Sequence, residues 1–372
     1  MKGLHGIIFS YEKHNNLREL TENRMPASVP FAGRYRIIDF ILSSMVNASI
    51  TDVGVVLHGN YQSLLDHLGS GKDWDLSRKH GGLRLLPPFA YEKSGTIHQF
   101  RGKMEALAGV RSYLEGIRQS HVVLADSDLI INIPLQEVYQ DHIASGADIT
   151  AVCTSNLDNS PEDATYFRLD KDGRVAETLF ALRNPAGCHR SLEIYILSKQ
   201  LLLELVDECM SLDQVSFRAA VLQAKVGALH IHSCVWDGYA AQIRSLKEYY
   251  DRSMELLDSS IRREVFHPQR PIHTKERNDA STYIDPDGTC CNCIVADGCT
   301  IEGSVENSIL FRGVSIARGA EVKNCILMQD ATISRDAVLH HVIADKNVEI
   351  MDSRTLMGHE QYPLVIAKNS KV

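Results

Sequence analysis

The stretch GCTIEGSVENSILFRGVSIARGAEVKNCILMQDATISRDAVLHHVIADKNVEI, residues 298–350, decides the architecture of the C-terminal part of the chain. Its tetrads GCTI, GVSI, DATI and NVEI close on Ile301, Ile316, Ile333 and Ile350, at spacings of 15, 17 and 17 residues. Seven residues before each stands another isoleucine: Ile294, Ile309, Ile326 and Ile343. A coil of three short rungs needs about 18 residues per turn and stacks small or aliphatic side chains inward. Four coils that agree therefore predict a hexapeptide-type parallel β-helix over 284–372. A β-sandwich would not hold register at this period. Cys299 shares its slot with Val314, Ala331 and Val348, so it is expected inside the coil. A vicinal Cys290-Cys291 plus Cys293 fits a tetrahedral zinc site poorly. His340-His341 falls on a coil, where exposure is the expectation, and is no catalytic pair.

Upstream the period changes. Strand-like runs rich in Val and Ile at 3–9, 52–58, 121–125 and 148–154 alternate with helical patterns, such as 103–119 with Met104, Leu107, Leu114 and Ile117 on one face. Such alternation predicts an α/β domain over 1–258 with a mixed, mostly parallel sheet. Lys171-Asp172-Gly173 marks a hairpin joining 166–169 to 175–180. A last helix over 245–259 leads into a proline- and charge-rich linker, 259–283.

The chain has 372 residues, with 44% apolar and 23% charged content, as expected of a soluble globular protein. A net charge of −8 argues against a general nucleic-acid binder. No segment approaches the roughly 20 apolar residues of a membrane span, and the short apolar run at 6–9 is no signal peptide. Nine cysteines at irregular spacing fit reduced thiols and a cytoplasmic location. One absence stands out: no glycine lies between Gly6 and Gly33, and YEKHNN, residues 11–16, follows the first strand. A loop that cradles a triphosphate needs glycines there, because only they let backbone N–H groups close around the oxygens.

PFAGRYRIIDF (residues 30–40) at the start of an α/β domain, followed by such a β-helix, resembles the ADP-glucose pyrophosphorylases, the glucose-1-phosphate adenylyltransferases. NYQS (60–63) resembles the family's QYQS, FRGKMEAL (100–107) its YRGTADA, SLEIY (191–195) its SMGIY, and RPIHT (270–274) the WPIRT of its linker. The resemblance covers nearly the whole chain and implies a GT-A-like nucleotidyltransferase domain with a C-terminal left-handed β-helix. It also implies a reaction: glucose 1-phosphate attacks the α-phosphorus of ATP and pyrophosphate leaves. That chemistry needs donors around the triphosphate, acidic residues for Mg²⁺, and a cation at the sugar phosphate.

Measured against the family, the phosphate loop is lost and its Lys-Pro pair reads Met25-Pro26, which leaves Arg24 to reach a phosphate. Asp126-Ser127-Asp128 stands where the family has Gly-Asp, so Asp126 and Asp128 either hold Mg²⁺ or cap a turn. The family's second metal aspartate, in WRDVGT, falls on Gln242. Ser191 matches the sugar-binding serine; Arg183 stands near the family's lysine before Pro185; Arg101 is kept, whereas Lys103 and Glu105 replace Thr and Asp. The pattern resembles the GlgD-type subunits of Firmicutes. The resemblance then implies a catalytically impaired, regulatory subunit of glycogen biosynthesis in a heterotetramer with a catalytic GlgC-type partner, or a homo-oligomer. Arg34, with Arg36 beside it, is the implied site for a sugar-phosphate or nucleotide effector. An active nucleotidyltransferase with a divergent phosphate loop is the alternative reading, and β-helix acyltransferases are a distant third.

Overall fold

The computed structural model describes residues 3–10, 16–86, 89–91, 97–157, 160, 163–180 and 182–372; most of the YEKHNN segment, residues 11–15, lies outside them. Two compact units emerge, each stitched from separate pieces of chain. The first comprises Met1–Lys13, Phe40–Gln242 and Pro268–His273, and the second His14–Asp39, Ile243–His267 and Thr274–Val372.

The first unit is built on a nine-stranded sheet. Its strands are β1 (Leu4–Phe9), β2 (Asp52–Val56), β3 (Gly82–Leu86), β4 (His121–Asp126), β5 (Ile149–Thr154), β6 (Thr165–Leu169), β7 (Val175–Phe180), β8 (His189–Ser198) and β9 (Ile231–Val235). The order runs β7-β6-β8-β4-β1-β2-β3, with β5 pairing to β8 and β9. β3, β2, β1 and β4 are mutually parallel, whereas β8 runs antiparallel to both β4 and β5. The mixed, mostly parallel sheet expected from the alternating pattern is present. So is the hairpin, with Thr165 opposite Phe180. The helical pattern over 103–119 resolves into α1 (Lys103–Gly109) and α2 (Arg111–Glu115), interrupted at Val110, whose φ of −110° leaves the helical range. The predicted apolar face still holds: Met104, Leu107, Leu114 and Ile117 are all buried against the sheet.

The second unit is dominated by the β-helix. Fifteen short strands form three parallel five-stranded sheets, so there are five coils where the repeats disclosed four. Ile294, Ile309, Ile326 and Ile343 pair in succession down one sheet, and Ile301, Ile316, Ile333 and Ile350 down another. Strands outside the repeat lie at both ends, Tyr283–Ile284 in the first coil and Thr355–Met357 with Leu364–Ile366 in the last, where Tyr283, Ile284, Met357 and Leu364 are exposed. The repeated tetrads have a backbone cause. Their first residues, Gly298, Gly313, Asp330 and Asn347, all have positive φ, between 56° and 77°. Each corner needs a left-handed residue, which glycine, aspartate and asparagine supply at least strain. Asn292, Asn307, Asn324 and His341 fill a second left-handed corner in the same way. His341 is consequently half-buried rather than exposed, bonded at Nδ1 to the Tyr250 hydroxyl at 2.9 Å. Cys299 is buried in the coil beside Val314, as its slot predicts.

The remaining pieces of the second unit include the hairpin made by PFAGRYR, with Pro30 opposite Arg36, and the helix α3 (Leu246–Glu255). Ser245 and Glu248 form a reciprocal capping box that fixes where α3 begins. Among the described residues no helix is long and apolar enough to cross a membrane.

Candidate functional site

In a parallel sheet of this kind ligands bind beyond the carboxyl ends of the strands. Asp126 is the last residue of β4 and Asp128 follows two positions later, so both carboxylates lie at that edge. Lys103 opens α1, directly after the extended Gly102, and its Nζ lies 2.9 Å from the Asp126 carboxylate. The same Nζ lies 2.9 Å from Glu193 Oε2. The Phe9 and Tyr195 rings flank it at 5.6 and 6.0 Å. Lys103, Asp126 and Glu193 side chains are only 18%, 15% and 11% exposed.

Glu193 reaches this position through a distortion of β8. The pairing with β5 slips between Val152 and Cys153, so that Leu192 and Glu193 bulge out of register. Glu193 then adopts φ 55°, a left-handed conformation that favours glycine. Thr165 Oγ1 donates to Glu193 Oε1 at 3.0 Å, and the Glu193 N–H donates to Ser191 Oγ at 3.0 Å. Ser191 is buried, and its hydroxyl is also bonded to the Tyr195 hydroxyl at 2.9 Å. Sequence reasoning had placed Lys103, Asp126, Asp128 and Ser191 at a site, and the fold brings these residues to one strand edge. It had not marked Glu193. The signal was available in SLEIY, because a residue with a long acidic side chain stands where the similar motif SMGIY has glycine.

The charges do not balance by simple pairing. Burial alone would push the Lys103 ammonium down, but Asp126 and Glu193 outweigh it and hold its pKa well above the ordinary lysine value. Asp126 is shifted up, first by burial and then by the like charges of Glu193 and Asp128, with Lys103 pulling the other way. Burial and the neighbouring acids thus oppose ionisation of Asp126, while the Lys103 ammonium favours it.

This arrangement does not suit Mg²⁺. Of the two carboxylates expected to hold the ion, Asp126 is already taken by the Lys103 ammonium at hydrogen-bonding distance, and the same ammonium also binds Glu193. At the position of the family's second metal aspartate, the Gln242 amide accepts a hydrogen bond from Arg190 at 3.1 Å; both residues are buried. Among the described residues no group of three or more metal-ligating side chains is placed to hold an ion.

The other expected residues lie elsewhere. Arg101 pairs with Glu105 and Asp213 at 2.8 Å each. Arg183 is exposed, shortly after the end of β7. Arg24, Arg34 and Arg36 belong to the second unit. There Arg24 is buried in an ion pair with Asp345. Arg34 pairs with Asp297 at 3.0 Å, both about two-fifths exposed, a surface pair of small energetic worth. Lys346, which sequence reasoning did not single out, stands among like charges. Burial first, then the fields of Arg36 and Arg24, push its pKa down to about 7, and Lys368 adds to the effect. Nothing in the sequence around Lys346 marks it, because its neighbours come from residues some 310 positions earlier.

Comparison with known proteins places this geometry. The nucleotidyl transferase family matches residues 6–179, and the GlmU-like C-terminal hexapeptide family matches residues 280–362. The chain is 36% identical over 367 residues to the glycogen biosynthesis protein GlgD of Bacillus subtilis (strain 168), covering 98% of this chain and 95% of that protein. It is 34% identical over 322 residues to the protein of the same description from Geobacillus stearothermophilus, covering 85% and 82%. To the glucose-1-phosphate adenylyltransferase of Geobacillus stearothermophilus it is 31% identical over 317 residues, covering 83% and 80%. The hexapeptide match agrees with a left-handed coil for the β-helix. With an α/β nucleotidyltransferase unit, a hexapeptide β-helix and relatives of this identity along nearly its whole length, the chain belongs to the ADP-glucose pyrophosphorylase (glucose-1-phosphate adenylyltransferase) family, as a member of GlgD type.

Proposed function

We propose that this chain acts in glycogen biosynthesis as a regulatory subunit that modulates a catalytic GlgC-type partner in a mixed tetramer and carries little adenylyltransferase activity itself. The observation that supports this most is the Lys103–Asp126–Glu193 cluster. The reaction needs a cation free to meet substrate phosphates and carboxylates free to hold a metal. Here the lysine is taken up by Asp126 and Glu193, and Ser191 by Tyr195 and Glu193. The subunit would then hold no Mg²⁺ of its own. Its effector, a sugar phosphate or nucleotide, would place a phosphate by Arg36 and Lys346, with Arg34 in reserve behind its pairing with Asp297. An anion there would relieve the crowding of positive charge. Assembly in the cytoplasm follows from the same role.

The test is an assay of the purified chain for ADP-glucose formed from ATP and glucose 1-phosphate with Mg²⁺, alone and mixed with a catalytic adenylyltransferase subunit. Turnover at background level alone, with an altered rate or effector response in the mixture, is expected. Turnover by the isolated chain comparable to that of the catalytic subunit would overturn the proposal.

A further inference from the structure

A cavity of about 240 Å³ opens at the opposite edge of the nine-stranded sheet, where β1, β2 and β3 begin. Its lining includes His5, Asp52, Lys79, Arg84, Tyr113 and Arg118. His5 pairs with Val122, four residues before Asp126. At about 3.3 Å per residue the cavity is therefore about 13 Å from the carboxylate cluster.

Three features make this cavity more than a surface dent. First, its charge is lopsided. Lys79, Arg84 and Arg118 supply three cations against Asp52, on a chain whose net charge is −8. Asp52, whose carboxylate accepts a hydrogen bond from the Gln119 amide, offsets only one of the three, which leaves an excess of two positive charges. Lys79, Arg84 and Arg118 form no ion pair among the described residues; Arg84 lies 6.0 Å over the Tyr113 ring.

Second, a buried polar atom is left over. His5 is 3% exposed and its Nε2 bonds to the Tyr113 hydroxyl at 2.7 Å, yet its Nδ1 has no hydrogen-bond partner. The Gln119 side chain lies close by and favours the protonated ring, but its N–H donates to Asp52 and its approach to the ring falls short of a well-formed hydrogen bond. Buried polar atoms without partners are rare in native proteins and ask for an explanation. Burial keeps the His5 ring neutral and the Tyr113 hydroxyl protonated. When that hydroxyl donates to Nε2, the ring proton sits on Nδ1, a donor seeking an acceptor.

Third, the backbone is shaped around the floor. Gly81 and Gly82 both have positive φ, 82° and 84°, and a Cβ at Gly81 would fall 1.6 Å from Asp52 Oδ1. Only glycine lets the chain pass there and bring Lys79 and Arg84 to the same rim.

From the excess of cations, the unsatisfied donor and the small volume, we infer that this cavity binds a small phosphate monoester. Arg84 and Arg118 take the phosphate oxygens as charge-assisted donors, and Lys79 supplies further positive charge. The volume lies below the roughly 300 Å³ at which pockets for drug-sized ligands begin, which suits a phosphorylated sugar or smaller.

Equilibrium binding to the full chain tests this, with inorganic phosphate and glucose 1-phosphate as probes, by calorimetry at low salt. The variant Arg84→Gln with Arg118→Gln changes exposed residues and leaves the fold in place, as circular dichroism should verify. Saturable binding of glucose 1-phosphate is expected. The double variant should weaken it by at least about tenfold, because both charge-assisted donors to the phosphate are removed. The variant Lys103→Thr, at the other edge, should leave this affinity unchanged. Displacement of glucose 1-phosphate by inorganic phosphate supports the phosphate as the recognised group. Absence of saturable binding, equal affinity in the arginine double variant, or loss of binding in Lys103→Thr alone would each overturn the assignment. None of these outcomes bears on ADP-glucose formation, so the proposed regulatory role stands or falls separately.

Discussion

Replacing Lys103 by Thr and Glu193 by Gly, singly and together, tests whether these two side chains form one unit. Lys103→Thr leaves Asp126, Asp128 and Glu193 facing one another without a cation. Breaking a buried ion pair from one side costs about 3–5 kcal/mol. Because Lys103 and Glu193 keep 18% and 11% of their exposure, the lower end, about 3 kcal/mol, is the fitting value. Glu193→Gly removes one acid while Lys103 keeps Asp126. It also relieves a left-handed residue at φ 55°, which returns about 1–2 kcal/mol, so its net cost is about 1 kcal/mol. Simple addition predicts a loss of about 4 kcal/mol for the double variant. If the lysine's main task is to neutralise Glu193 as well as Asp126, the double variant should lose only about 2 kcal/mol, a coupling of about 2 kcal/mol. Urea unfolding followed by tryptophan fluorescence reads this out cleanly. The chain's two tryptophans, Trp74 and Trp236, both belong to the first unit. The deficit of Lys103→Thr should also depend on pH. Asp126 is already shifted up in the folded chain, so its contribution weakens the fold as pH rises. Without the ammonium that weakening deepens, and the deficit should shrink toward acid pH, where the carboxylates are protonated. Single-variant losses that add within about 0.5 kcal/mol would refute the idea of a coupled pair.

Two further outcomes follow from the second unit. The Lys346 pKa of about 7 lies below the unfolded value of 10.5, so the unfolded chain holds a proton that the folded chain lacks between these limits. Stability should therefore rise with pH from about 7 upward, by at most about 4 kcal/mol near pH 10, and Lys346→Met should remove that rise when thermal unfolding is compared across pH; matching pH profiles would contradict it. Ile333→Ala, in the middle of a stack between Ile316 and Ile350 and fully buried, should cost about 2–5 kcal/mol, whereas Ile284→Ala at the 46%-exposed end coil should cost under about 1 kcal/mol, measured by thermal unfolding. Equal losses would mean that the stack is not what holds the coil.

Much of the fold was legible because its causes are local or periodic. The β-helix repeats disclose themselves through two demands that recur every 15 or 17 residues: an inward aliphatic, and a corner that only Gly, Asp or Asn fills easily. The fifth coil escaped because the strands outside the repeat, with Tyr283 and Ile284 in the first coil and Met357 and Leu364 in the last, sit where an inward aliphatic is not enforced. The α/β unit was readable from Val- and Ile-rich runs, but β3, β8 and β9 were not singled out as strands. The break at Val110 was invisible too, since apolar residues keep one face across both helices and periodicity alone carries no signal of the interruption.

The candidate site was legible only in halves, and the reason is physical. Read singly, Lys103 adds a positive charge near a substrate cleft and Glu193 is an acidic residue in a strand. Neither fact says that the two meet, because 90 residues separate them and a bulge turns Glu193 off the strand's alternation. Their mutual satisfaction changes the meaning of both. A lysine with no partner would be a phosphate ligand, and a glutamate at a left-handed position would be a strained oddity. Together they are a closed ion cluster that stabilises each other's burial and offsets the strain at φ 55°. The pairing also explains why Ser191 is retained: its hydroxyl caps the bulge by accepting the Glu193 N–H. A residue that resembles a sugar ligand in the sequence is thus held by the folded chain as a structural support. Retention of a family residue is weak evidence for retention of its chemistry, and the hydrogen-bond partner decides which of the two has been kept.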